Sequence, residues 1–294
     1  MTDTGSTDTR SLQTPDATLV YDVRGPLPTA DGRPPLMMVG SPMDAAGFSA
    51  LASYFPERTV ITYDPRGLAR STRHDGRADL TPETNADDIH RIIHALGTGP
   101  VDLFASSGGA VSALALVAAH PSDVATLVAH EPPMLTMLPD ADQAFAAQKQ
   151  VQEEYHDRGW GHGMAAFVAM TTWPGEFTDE YFGRPAPDPA AFGMPADDDG
   201  SRHDPLLSGV SNPISGYLPD VARLSAAPTR IVIGVGEESA GLMTGRTSVA
   251  TAEALGQEAT VFPSHHGGFV GGEYGWSGQP EAFAARLHEV LDAG

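Results

Sequence analysis

FASSGGA, residues 104–110, follows the run VDL (101–103) and precedes VSALALVAAH (111–120), so two serines and two glycines stand where a buried strand gives way to a buried helix. A hydroxyl has a use at that place. A sharp strand-to-helix turn lifts the side chain at its apex above the sheet, and the first N–H groups of the helix, unbonded within it, face negative charge developing beside that side chain. Such a turn leaves room only for small residues two places before and after the apex. Ser107 has Ala105 and Gly109 there, whereas Ser106 has Phe104 and Gly108, and the phenyl ring is too large. Ser107 is the expected nucleophile, with Ser106 packed or capping beneath the turn. On its own the pattern also suits a helix N-cap or a phosphate-cradling turn, so the rest of the chain has to decide.

Outward from this junction the chain alternates. ATLVYDVRG (17–25), PLMMVG (35–40), RTVITYDPRG (58–67), VDLFASS (101–107) and VATLVAHE (124–131) read as strands, and the later ones are separated by helical patterns at 85–97 and 108–120. The first helix carries Ile89, Ile92, Ile93 and Leu96 on one face; the second is apolar nearly all round and reads as buried. The rhythm resumes with TRIVIGVG (229–236), a helix near 243–256, EATVFPSHH (258–266) and a closing helix at 279–293. Short apolar strands alternating with helices predict an α/β fold, a mostly parallel central sheet flanked by helices. Residues 1–14 read as a flexible N-terminal arm. Residues 137–220, aromatic-rich and then rich in Pro, Gly and Asp, read as an inserted helical cap between two halves of one core, 15–136 and 221–294.

Bulk properties exclude several classes. The 294 residues hold no cysteine, which removes disulfides, thiolate metal sites and a cysteine nucleophile. A net charge of −21 argues against nucleic acid or an anionic membrane surface as partner, and points to neutral substrates. No apolar run approaches the length of a membrane span, and the polar N-terminus lacks the pattern of a secretory signal, so a cytoplasmic location is expected. ADDDG (196–200) reads as a solvated loop rather than a metal site.

Four stretches together resemble the α/β-hydrolase superfamily, and the likeness spans nearly all the chain outside the first residues and the cap. VGSPMDAAGF (39–48) resembles that family's His-Gly-x-Pro loop, with Val39 where His is common. YDPRGLARS (63–71) resembles its Asp-x-Arg-Gly-x-Gly-x-Ser stretch, with Ala69 in place of the second Gly. FASSGGA is similar to the nucleophile elbow Gly-x-Ser-x-Gly, with Ala105 in place of the first Gly, and SHHGGF (264–269) looks like the histidine loop. The resemblance implies an α/β-hydrolase fold with Ser107 as nucleophile, His266 as general base, and backbone N–H groups of Ser41 and Gly108 as the oxyanion hole. Asp64 and Arg66 would brace loops. His265 would point elsewhere, and the remaining histidines, among them His90, His94, His120 and His156, are read as structural.

Two residues compete for the acid. The usual Gly-x-x-Asp position falls on Gly236-Glu237-Glu238-Ser239, where the Asp is a serine and Glu238 stands one residue early. The alternative is Glu131 in HEPP (130–133), at a predicted strand end 24 residues past Ser107, an arrangement similar to the zearalenone-lactonase group. Glu131 is preferred, because a glutamate at the end of so apolar a strand is hard to read as surface decoration. The implied activity is a serine hydrolase that cleaves an ester or lactone of a neutral, fairly hydrophobic small molecule through an acyl-enzyme on Ser107, with no cofactor and no metal. Trp160, Trp173, Phe167, Phe177 and Met164 are expected to line its substrate pocket. A non-hydrolytic ligand-binding protein of the same fold and a cofactor-free haloperoxidase-like enzyme are the other readings.

Overall fold

The computed structural model describes residues 7–293. Nine strands form one sheet: β1 (Thr7–Gln13), β2 (Ala17–Arg24), β3 (Leu36–Val39), β4 (Val60–Asp64), β5 (Thr72–Arg73), β6 (Val101–Ser106), β7 (Val124–His130), β8 (Arg230–Gly236) and β9 (Thr260–Phe262). The spatial order is β1-β2-β4-β3-β6-β7-β8-β9, with β5 paired to β2. The β1–β2, β2–β4 and β2–β5 pairings are antiparallel, and every pairing from β4 through β3 to β9 is parallel. The helices are α1 (Ser49–Ser53), α2 (Pro82–Leu96), α3 (Gly108–Ala119), α4 (Ala141–Arg158), α5 (Trp160–Thr171), α6 (Asp179–Phe182), α7 (Asn212–Ser215), α8 (Val221–Ala226), α9 (Met243–Ala254) and α10 (Pro280–Asp292).

Strand alternation divides the core. Met37 and Val39 join Leu19, Ile61 and Tyr63 in a cluster completed by Ile89 and Ile92 of α2 and by the apolar side chains of α3. Leu36 and Met38 face the other way, onto Phe48, Phe55, Phe104, Phe262 and the Phe283–Leu287 face of α10. Both faces of the parallel strands are thereby covered, which is why these strands read as unbroken apolar runs. Helix α3 needs no amphipathic face because it is buried almost along its length. Helix α2 starts on a Thr81 cap with Pro82 at its first position and stops at Gly97, whose φ of 68° suits a residue without Cβ.

One expectation is corrected here. Residues 7–13 of the expected arm are strand β1, paired in register with β2 from Thr7↔Arg24 to Gln13↔Thr18. TDTRSLQ lacks an apolar period because it is a mostly exposed edge strand held by its backbone ladder. Residues 1–6 lie outside the described part. Between β7 and β8 the chain leaves the sheet for the helices α4 to α8, whose antiparallel pair α4–α5 packs around Ala144, Ala147, Val151, Tyr155, Ala166 and Met170 as a third apolar cluster. This helical insertion is tied to the sheet's own helices by Arg246 of α9, which bonds the Asp140 carboxylate at the start of α4 and donates to Gly175 O at 2.7 Å. Among the described residues no helix is long and apolar enough to cross a membrane.

Candidate active site

Parallel register brings several strand ends to one edge. Ser106 of β6 lies opposite His130 of β7, His130 opposite Gly234 of β8, and Gly236 opposite Phe262 of β9. The residues just past these ends, Ser107, Glu131 and the loop 263–269, therefore converge. The junction is direct: Ser107 N donates to His130 O at 2.9 Å, one residue before Glu131.

Each converging segment holds a non-glycine residue at positive φ: Ser107 at 56°, Glu131 at 49° and Ser264 at 70°. Backbone of this kind costs on the order of 1–3 kcal/mol per residue and persists only where the surroundings impose it. At Ser107 the constraint is visible in its neighbours. A Cβ on Gly109 would stand 2.7 Å from Val39 O and 2.8 Å from Gly40 Cα, and one on Gly108 would stand 2.6 Å from Ser41 O. The elbow is thus pressed against the 39–41 loop, and only glycine allows that approach. The same contact sets the backbone of Ser41 beside Gly108, the first residue of α3. Among the described residues Ser107 Oγ makes no hydrogen bond.

Glu131 is completely buried and fully bonded. Its Oε1 accepts from Gly236 N at 2.8 Å; its Oε2 accepts from Thr244 Oγ1 at 2.5 Å and lies 2.7 Å from His266 Nδ1. Burial alone pushes this carboxyl's pKa up, but the bond and charge of His266, with smaller contributions from His130 and Ser239, hold it well below the usual carboxylate range. An ionised Glu131 fixes the proton of His266 on Nδ1 and leaves Nε2 as the acceptor nitrogen. The His266 ring is 29% exposed, so the pair joins a buried anion to a half-open base.

The other candidates sit differently. Glu238 is exposed, and its backbone N donates to Ser264 O at 3.0 Å; Ser239, at the usual acid position, is buried. His265 turns toward the 276–277 segment, with Nε2 3.3 Å from Ser277 O and Nδ1 accepting from Gly267 N. Asp64 accepts from Ala45 N and from Arg70, and Arg66 forms a buried pair with Asp88, so both hold loops.

The five residues expected to line a pocket all lie in the insertion between β7 and β8. Phe177, 1% exposed, lies within the cap's own cluster against Tyr181. Trp173 packs on Tyr181 and Arg184 and donates to Glu176 O, and Trp160 donates to Asp204 at 2.9 Å. Phe167 and Met164 pack beside the same cluster. Cavities of ≈ 370 Å³ between Asp22 and Arg70 and ≈ 570 Å³ between Leu138 and Arg246 are lined by none of the five. Ile214 of α7 reaches the elbow, its Cγ2 3.1 Å from where a Gly108 Cβ would stand.

Three further contributors escaped sequence reasoning. Thr244 is 113 residues from Glu131 along the chain, and no local signal announces it. Gly236 can be found in principle, since glycine closing an apolar strand signals a close approach; a Cβ there would meet Ser264 O at 2.7 Å and Glu131 Oε1 at 3.0 Å. His130, between Ser106 and Glu131 in space, is fully buried among Phe104, Phe262, Phe269 and Phe283, and burial pushes its pKa down to about 4.

A sequence profile of the alpha/beta hydrolase fold matches residues 37–158. A Bacillus subtilis (strain 168) protein described as the uncharacterized hydrolase YraK is 28% identical over 283 residues, 96% of this chain and 95% of the relative. Among solved structures, a thermophilic esterase from Thermogutta terrifontis superposes with a TM-score of 0.62 at 21% identity, covering 98% of this chain and 99% of the other. A proline iminopeptidase from Mycobacterium smegmatis superposes with a TM-score of 0.64 at 19% identity, covering 97% and 98%. At such identities the superpositions speak to the fold alone.

Proposed function

The chain belongs to the α/β-hydrolase superfamily, and on that footing we propose that it is a serine hydrolase cleaving a carboxylic ester or lactone of a neutral, fairly hydrophobic small molecule. The observation that carries this reading is the buried, ionised Glu131 bonded to His266 Nδ1, one residue beyond the His130 carbonyl that anchors Ser107 N. That arrangement suits the roles of acid, base and nucleophile in acyl transfer.

His266 Nε2 takes the Ser107 proton as Ser107 Oγ attacks the acyl carbon. The Ser41 and Gly108 N–H groups hold the oxyanion. The acyl C–O bond then breaks, the His266 proton passes to the departing alkoxide, and the acyl group remains on Ser107. In a lactone the released alcohol stays tethered to that acyl group. Water, deprotonated by His266, attacks next; Ser107 leaves as the alcohol and recovers its proton. Glu131 remains ionised throughout and stabilises the imidazolium.

The fold likeness to an esterase supports an ester substrate only as analogy. The test is hydrolysis of p-nitrophenyl esters of increasing acyl length beside simple aliphatic lactones and a prolyl arylamide, by wild type and Ser107→Ala. Ester or lactone turnover that vanishes in Ser107→Ala supports the reading. Turnover retained in that variant, exclusive cleavage of the arylamide, or binding of these compounds without hydrolysis overturns it.

A further inference from the structure

Helix α3 runs away from Ser107, and at its far end, about 18 Å away at 1.5 Å per residue, lies a cluster that acyl transfer does not use. His90 on α2, His120 at the C-cap of α3 and Asp123 before β7 each offer one donor atom, and these atoms lie within 4.8 Å of one another. His90 Nδ1 is 2.6 Å from Asp123 Oδ2. The His90 and His120 rings stack with centroids 3.8 Å apart. His94, one helical turn beyond His90, puts Nε2 3.4 Å from the other Asp123 oxygen.

We propose that His90, His120 and Asp123, with His94 as a fourth donor, bind a divalent transition-metal ion, zinc being the best match. Two histidines at i and i+4 present their rings on one helix face, the spacing helical metal sites use. Imidazole nitrogens with one carboxylate oxygen form a donor set suited to Zn²⁺, with bonds of roughly 2.0–2.2 Å and hence ligand separations of ~3.4 Å in a tetrahedron. The present His90–Asp123 contact is a hydrogen bond, and binding would open it by under about 1 Å and turn one of the stacked His90 and His120 rings so that both nitrogens aim at the ion. Binding would release the proton it holds.

The donors are well anchored. Asp123 is 6% exposed, its N–H bonds His120 O at 3.1 Å, and its carbonyl accepts from Val101 N at 3.0 Å. The ion would staple α2 to the α3–β7 turn, so its effect is on stability and not on the Ser107 reaction.

The test uses untagged full-length protein with ZnCl₂ alone: binding stoichiometry by equilibrium dialysis, and thermal unfolding with and without zinc, for wild type, His90→Ala, His120→Gln and His266→Ala. One zinc per chain is expected in wild type and His266→Ala. Saturation should raise Tm by roughly 3–6 °C for an ion present at about 100 times its Kd. His90→Ala and His120→Gln should lose the bound zinc and the Tm rise, with ester turnover within about two-fold of wild type confirming that they fold. Zinc lost only in His266→Ala, retained equally in every variant, or absent from wild type overturns the proposal.

Discussion

At the scale of single residues, the question is which carboxylate orients the base. Glu131 is buried and accepts from Gly236 N, Thr244 Oγ1 and His266 Nδ1, while Glu238 stands in solvent. Glu131→Gln is therefore expected to lower kcat on a p-nitrophenyl ester by about 10³–10⁴-fold, because an amide cannot hold His266 in the accepting tautomer. Glu238→Gln should stay within about two-fold, and a loss confined to Glu238→Gln would reverse the assignment. His130 supplies a pH prediction. Folded, its pKa lies near about 4, against roughly 6.5 in the unfolded chain. Between those values the unfolded chain binds more protons, so stability is complete above about pH 6.5 and falls by about 3 kcal/mol toward about pH 4. Glu131, depressed below its ordinary 4.5, acts in the same direction lower down: its contribution is present above that value and lost as pH falls through the folded pKa. Urea unfolding across pH 4–7 should show this slope in wild type and a shallower one in His130→Leu. Of these residues, Ser107 and Glu131 are readable because local sequence marks them, one by small flanks and the other by an apolar strand. His130 has only its neighbours to announce it.

At the scale of elements, the elbow and the cap are held by different means. The elbow depends on bare backbone contact, so Gly109→Ala should cost at least about 2 kcal/mol, its Cβ lying 2.7 Å from an immobile carbonyl. Gly97→Ala, at φ 68° in open space, should cost only about 1 kcal/mol. Denaturant midpoints for the two variants separate these costs. The cap depends on Arg246, whose guanidinium spans Asp140 and Gly175. Arg246→Ala strands a nearly buried carboxylate and should lower Tm while speeding proteolysis within 140–180. Most strands are legible as short apolar runs because a sheet covered on both faces has no polar side to display. The exceptions have a physical reason. Strand β1 carries polar residues and owes its place to backbone pairing. Ile214, which does reach the elbow, lies in a stretch that reads as loop.

For the whole molecule, one sheet sorts the chain into two faces and gathers its chemistry at one edge, with the far end left to the histidine cluster on α2 and α3. The chain has 38 acidic and 17 basic side chains, so self-repulsion should weaken the folded state at low ionic strength. Raising NaCl from about 10 to about 150 mM shortens the Debye length from roughly 30 to 8 Å and should raise the urea midpoint. If Ser107 is a nucleophile activated through His266 and Glu131, a fluorophosphonate will modify it, and intact-mass analysis after treatment reads that modification. One adduct per chain is expected, mapped to Ser107 by peptide sequencing, absent in Ser107→Ala and slowed in Glu131→Gln. A folded wild-type protein that stays unmodified, or that carries its adduct on another residue, would contradict it.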